Sequence, residues 1–151
     1  MISRFDAWPM FEFPPEGEAL DGLPDGDCVY VFFWAGGGAT QPFYVGQTKR
    51  LANRMDDYLD PSFYAATDFK VGEAANYLRH AKGLRIFVRH TRSQDSLKDE
   101  KEVIRELQLA GVRLLNDFVG YDYHKADKRQ ERADIHRFCD VLLSSALTPG
   151  D

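Results

Sequence analysis

The apolar positions of the chain change period several times, and each change predicts an element. Residues 28–34, Cys-Val-Tyr-Val-Phe-Phe-Trp, form an unbroken β-branched and aromatic run, and Phe43-Tyr44-Val45 is a shorter one. Both predict strands, joined as a hairpin through the long, glycine-rich loop Ala-Gly-Gly-Gly-Ala-Thr-Gln-Pro. Gly46 then ends the second strand, and Thr48 caps a helix running to about Leu59, stopped by Pro61. Leu51, Met55 and Leu59 sit four apart, the spacing of a packed helix face, and Arg54 and Tyr58 share the same spacing. A second helix is predicted over 71–82, ending at Gly83. Residues 84–90 alternate like a strand, with Leu84, Ile86 and Val88 on one side and Arg85, Phe87 and Arg89 on the other. Ser96 caps a further helix that closes near Gly111, and 127–147 predict a last one with Ile135, Phe138, Val141 and Leu142 as its apolar stripe.

Residues 1–27 carry no such period. Pro9, Pro14-Pro15, Gly17, Gly22 and Pro24-Asp25-Gly26 predict an irregular arm. The order β-β-α-α-β-α-α is α+β or α/β by pattern alone, within a 151-residue chain of one domain. No apolar run approaches the roughly 18–20 residues of a membrane span. The first residues lack the basic start and apolar stretch of a signal peptide. Cys28 and Cys139 are too few and too far apart for a disulfide scaffold or a zinc site, so a reduced cytoplasmic protein is expected.

Charge changes this picture by its distribution. The net −5 divides into −6 over residues 1–27 (one Arg, seven acids), +4 over 28–92 (nine Lys and Arg, five acids) and −3 over 93–151 (nine against twelve). A compact basic face on an acidic protein still attracts phosphates. Three of its cations, Lys49, Arg50 and Arg54, cluster at the strand-to-helix turn after Gly46.

One carboxylate is out of place. On a helical projection Leu97, Val103, Ile104 and Leu107 form one stripe with Glu100 in its centre, whereas Glu102 and Glu106 point away. A buried carboxylate needs a cation, hydrogen bonds or a shifted pKa. Two readings stay open: a structural ion pair to an arginine, or a metal ligand facing a cleft. Likewise Tyr30 and Tyr44, on neighbouring strands, suit either a core or a site.

Together these residues resemble the GIY-YIG nuclease superfamily over roughly 27–117. Cys28-Val29-Tyr30 and Tyr44-Val45-Gly46 correspond to its two signature triplets, and the following Gln-Thr-Lys-Arg-Leu-Ala-Asn-Arg places Arg54 at its catalytic arginine. Tyr58 falls where members carry tyrosine or histidine. Glu100, followed by Lys-Glu-Val-Ile-Arg-Glu-Leu, looks like the metal-binding glutamate, and Asn116 in Leu-Leu-Asn-Asp-Phe like the asparagine closing the core. Cys28 departs from the first glycine of the signature. The hairpin loop is longer than in compact members, and the usual proline is absent between Leu107 and Asn116.

The resemblance implies an α+β fold: a small three-stranded mixed or antiparallel sheet opening on a hairpin and flanked by helices. It divides the chain into an acidic arm (1–26), a nuclease-like core (27–117) and a C-terminal helical extension (118–151). It further implies a metal-dependent endonuclease acting on nucleic acid, DNA before RNA. Glu100 holds one Mg²⁺ or Mn²⁺, Tyr30 is general base, Tyr44 and Tyr58 position groups, and Arg54 contacts phosphate oxygens with its planar fork. Gly46 allows a sharp strand exit, and Lys49, Arg50, Arg79, Lys82, Arg85 and Arg89 become candidates for tracking a nucleic-acid backbone. The alternatives are a nuclease-like adaptor for nucleic acid or protein, and a partner-regulated subunit whose acidic arm masks the basic face.

Overall fold

The computed structural model describes residues 3–60, 65–118 and 128–146, so Pro61, expected to stop a helix, lies outside it. The fold is α+β, built on a four-stranded antiparallel sheet rather than a three-stranded one. Its strands are β1 (Met10–Phe13), β2 (Asp25–Gly36), β3 (Ala39–Arg50) and β4 (Arg85–Arg92), in the spatial order β1-β4-β2-β3. The extra strand comes from the arm expected to be irregular: Met10–Phe13 pairs with Arg89–Ile86. The motif Met-Phe-Glu-Phe alternates exposed and buried, a strand pattern too short to stand out among flanking prolines.

The β2–β3 hairpin corrects a second expectation. Its strands are 12 residues each and turn through Gly37 and Gly38 alone, with φ of 59° and 82°. A two-residue turn with both centres at positive φ matches the right-handed strand twist, and glycine adopts it without a Cβ clash. The predicted loop is therefore mostly strand. The register shifts between Phe32 and Phe33, which pair with Tyr44 and Pro42 and leave Phe43 as a bulge. Pro42 has no N–H to donate, and beside the bulge that loss is tolerated. Because of the bulge, consecutive Phe43 and Tyr44 join the same core cluster.

Among the described residues five α-helices accompany the sheet: α1 (Glu18–Asp21), α2 (Leu51–Leu59), α3 (Ala66–Asn76), α4 (Ser96–Leu109) and α5 (Lys128–Ser144). Tyr30, Phe32, Ile86 and Val88 line one sheet face with Leu51 and Met55 of α2, Ala74 and Ala75 of α3 and Ile135 of α5. Val29, Val31 and Val45 line the other face with Val103 and Leu107 of α4, and Phe5 from the arm joins them. The alternation of β2 thus serves two cores, which is why its run reads as continuously apolar.

Several helix details differ from expectation. Thr48 is not the N-cap of α2; its hydroxyl accepts from the Arg50 N–H at 3.1 Å, at the end of β3. Leu59 is 43% exposed, and Tyr58 takes its place in the core. α3 begins five residues before the predicted helix and runs into a π-helical turn at Tyr77–Ala81, before Gly83 at φ +66°. Asp95, not Ser96, caps α4, accepting from the Lys98 N–H. Leu97 is 59% exposed, so the inward stripe of α4 is Ser96, Val103 and Leu107, with half-buried Glu100 between them. In α5 the buried positions are Glu131, Ile135, Cys139 and Leu142; Val141 faces out and Phe138 is partly covered. Among the described residues no helix is long and apolar enough to cross a membrane.

Candidate functional site

At the outer edge of β3 the two layers meet around a polar cleft of about 320 Å³. Its lining includes Tyr30, Tyr44, Gln47, Arg54, Thr67, Lys70, Glu100 and Asn116. Five residues singled out in the sequence, Tyr30, Tyr44, Arg54, Glu100 and Asn116, therefore converge from five elements.

Tyr30 and Tyr44 project from β2 and β3 on the same face, their ring centres 6.4 Å apart. Tyr30 is only 1% exposed, and its hydroxyl shares a hydrogen bond of 2.5 Å with that of Tyr58. Burial pushes the Tyr30 hydroxyl far above its usual pKa, the nearby Tyr44 hydroxyl adds to this, and Tyr58 and Arg54 oppose it. Burial likewise raises Tyr44 and Tyr58. All three are neutral hydroxyls at physiological pH. Tyr58 stands behind Tyr30 and reaches the cleft through it.

Gly46 has a role other than the expected one. The strand continues past it to Arg50, and its φ is not positive. Instead it lies under the Tyr30 ring: a Cβ there would meet Cζ and Oη of Tyr30 at 2.4 Å. The missing side chain is the space that the Tyr30 phenol occupies.

Arg54, one turn before Tyr58 on α2, lies over that ring with its guanidinium carbon 4.9 Å from the centroid. It pairs with Asp68 of α3 at 2.7 Å and more loosely with Asp57 at 3.4 Å. Burial disfavours its charge, but Tyr58, Tyr30 and Asp68 outweigh burial and hold the guanidinium above its ordinary pKa.

Two polar contacts set the β3 edge. Asn116, in a 3₁₀ turn at Leu115–Asp117, accepts from the Val45 N–H at 2.9 Å and donates to the Val45 carbonyl at 2.8 Å. Both backbone groups point off the sheet edge, so Asn116 satisfies them as a neighbouring strand would. The Ser96 hydroxyl donates to Gln47 Oε1 at 3.0 Å, fastening the first turn of α4 to β3. Glu100, one turn on, is thereby turned into the cleft.

Glu100 is half-buried and has no hydrogen-bond or ion-pair partner among the described residues. The structural ion pair to an arginine is thus not formed among them. Burial raises its carboxyl pKa, against a smaller lowering by Lys101. A carboxylate left unmatched beside hydroxyls and an amide suits a hard divalent cation, which takes oxygen ligands and retains waters. Among the described residues no cluster of three or more His, Cys, Asp or Glu converges, so a cation here would rest on this one carboxylate.

The other predicted cations separate from the cleft. Lys49 and Arg50 are exposed at the end of β3, close to Gln47. Arg79 lies on the π-helical turn after α3. Lys82 pairs with Asp140, and Arg85 with Glu12 of β1. Arg89 donates to the carbonyls of Phe5, Asp6 and Trp8. Arg85 and Arg89 therefore hold the arm, and no described arm residue lines the cleft. Sequence reasoning missed Gln47, Thr67, Asp68 and Lys70. The last three all precede residue 71, the expected start of that helix, and lie in the five-residue extension that makes α3 start at Ala66. Compared with known proteins, the chain matches no family model, no curated protein and no solved structure.

Proposed function

We propose that the protein is a metal-dependent endonuclease of GIY-YIG type, hydrolysing phosphodiester bonds in nucleic acid, DNA before RNA. The observation that carries this reading is the unpartnered Glu100 carboxylate in one cleft with Tyr30, Tyr44 and Arg54. These are the residues that the resemblance names, and they come from separate parts of the chain.

Glu100 would hold a Mg²⁺ or Mn²⁺ ion, which when bound would polarise the phosphate and neutralise the leaving 3′ oxygen. Arg54 presents its fork to non-bridging phosphate oxygens, oriented by Asp68 and the Tyr58 ring. Tyr30 acts as general base in its phenolate form, having first released its own proton to solvent through the cleft it lines, and then takes the proton of the attacking water. Because burial holds it neutral, that role draws on adjacent positive charge, of which Arg54 is the part the chain supplies. Tyr58 shares the Tyr30 proton, and Tyr44 walls the water's approach. Asn116 keeps Val45, and with it Tyr44 and Gly46, in place.

The test is cleavage of plasmid DNA, structured RNA and branched DNA over time in Mg²⁺ or Mn²⁺, with and without EDTA, for wild type and Glu100→Ala. Metal-dependent cutting lost in the variant is the expected result. If no substrate is cut by wild type, the reading fails and a nucleic-acid or protein adaptor takes its place. Equal cutting by both proteins removes Glu100 from the mechanism.

A further inference from the structure

Lys70 is a cleft residue to which neither the sequence pattern nor the chemistry above gives a role. It shares a face of α3 with Thr67, three positions earlier, and both line the cleft. Its side chain is half-buried; burial lowers the pKa of its ammonium, and Asp117 partly offsets this. Its Nζ donates to the Phe118 carbonyl at 3.4 Å, and it makes no ion pair among the described residues.

The other cation of the cleft is in the opposite situation. Arg54 is matched by Asp68 at 2.7 Å and spread over the Tyr58 ring, so most of its charge is already answered within the protein. Arg54 has two carboxylates at ion-pair distance, Asp68 and Asp57, whereas Lys70 has none among the described residues and feels Asp117 only from farther off. A phosphodiester carries one negative charge, and a second develops as water adds. An ammonium drawn half out of water with no carboxylate at ion-pair distance is poorly matched in the free protein and gains when an anion arrives.

We propose that Lys70 binds a non-bridging oxygen of the phosphodiester held in the cleft, supplying an ammonium free of any ion pair among the described residues, whereas Arg54 is tied to Asp68. The proposal rests on the nuclease reading for what happens to that phosphate, but the contact itself does not depend on turnover.

Wild type, Lys70→Met and Lys70→Arg are compared on a short fluorescein-labelled DNA duplex and on its single strand. Binding is followed by anisotropy across a salt series in EDTA, and cleavage separately in Mg²⁺ or Mn²⁺. Lys70→Met should flatten the slope of log Kd against log salt by about one. It should lower kcat about a hundredfold. Its melting temperature should be unchanged or higher, because an unmatched charge is gone, and Lys70→Arg should restore the slope. An unchanged slope in the methionine variant overturns the proposal whether or not wild type cuts. A flattened slope that arginine does not restore, together with a lowered melting temperature, assigns Lys70 to structure and also overturns it. If wild type binds with the expected slope change but cuts nothing, the nuclease reading falls and the Lys70 contact stands. If wild type binds neither DNA form at any salt, both fall.

Discussion

Replacing Gly46 by alanine tests the central packing of the site. The new methyl would lie 2.4 Å from Cζ and Oη of Tyr30 and 2.8 Å from Cε2. Carbon atoms pack best at about 3.5–4.0 Å, so the phenol must retreat by about 1 Å. It has little room to do so: Tyr30 is fully buried, with the rings of Phe32, Tyr44 and Tyr58 at 6.0, 6.4 and 6.4 Å. Overpacking a filled core costs about 1–3 kcal/mol, and a contact this short against an immobile ring belongs at about 3. For a chain of this size that lowers the melting temperature by about 6–12 °C. Urea denaturation should show a lower midpoint at constant m. In a Tyr30→Leu background the ring is absent, and the same substitution should cost at least about 1 kcal/mol less. Additive costs in that cycle would refute the argument that Gly46 exists to seat Tyr30. The displaced hydroxyl should also lose its 2.5 Å bond to Tyr58, so cleavage should fall further than the lost stability explains.

Glu100→Gln should be more stable than wild type at neutral pH by roughly 1 kcal/mol at most, because the amide avoids the desolvation of a charge, discounted here for partial exposure. Burial raises the folded carboxyl pKa, so the ionised form destabilises the fold above that value; the advantage of glutamine should fade as pH falls toward the ordinary 4.5, as thermal melts across pH would record. Because burial keeps Tyr30 neutral, kcat at saturating cation should climb about tenfold per pH unit from neutral into mildly alkaline solution, and Tyr30→Phe should abolish the climb. Asn116→Ala leaves the Val45 N–H and carbonyl without their partner at the sheet edge. It should cost about 1–3 kcal/mol and speed hydrogen exchange at the Val45 amide, whereas protection equal to wild type would dismiss the edge role.

Much of the chain was legible where the signal is local. The aromatic run of β2 marked a strand, and the four-residue spacing of Leu51 and Met55 marked the buried face of α2. The same spacing set Arg54 against Tyr58, whose ring it overlies. Glu100 was visible as a carboxylate on an apolar stripe, although Leu97, counted in that stripe, is exposed and Ser96 takes its place. A helical projection gives directions around an axis but not the side on which the sheet will lie.

What the sequence by itself determined is therefore the set of elements with strong period and the residues whose chemistry conflicts with their position, Glu100 foremost. Tertiary structure decided the rest, because the deciding partners are far apart in the chain. Met10–Phe13 became a strand only because β4 offered it a ladder 73 to 79 positions away. Phe43 became a bulge only in register with β2. Gly46 acquired its meaning from the Tyr30 ring, Asn116 from the free edge at Val45, and Lys70 from a cleft lined by β2, β3, α2, α3 and α4. Periodicity is a property of one segment, whereas hydrogen-bond pairing, close packing and charge balance belong to pairs of segments and exist only after the chain has brought them together.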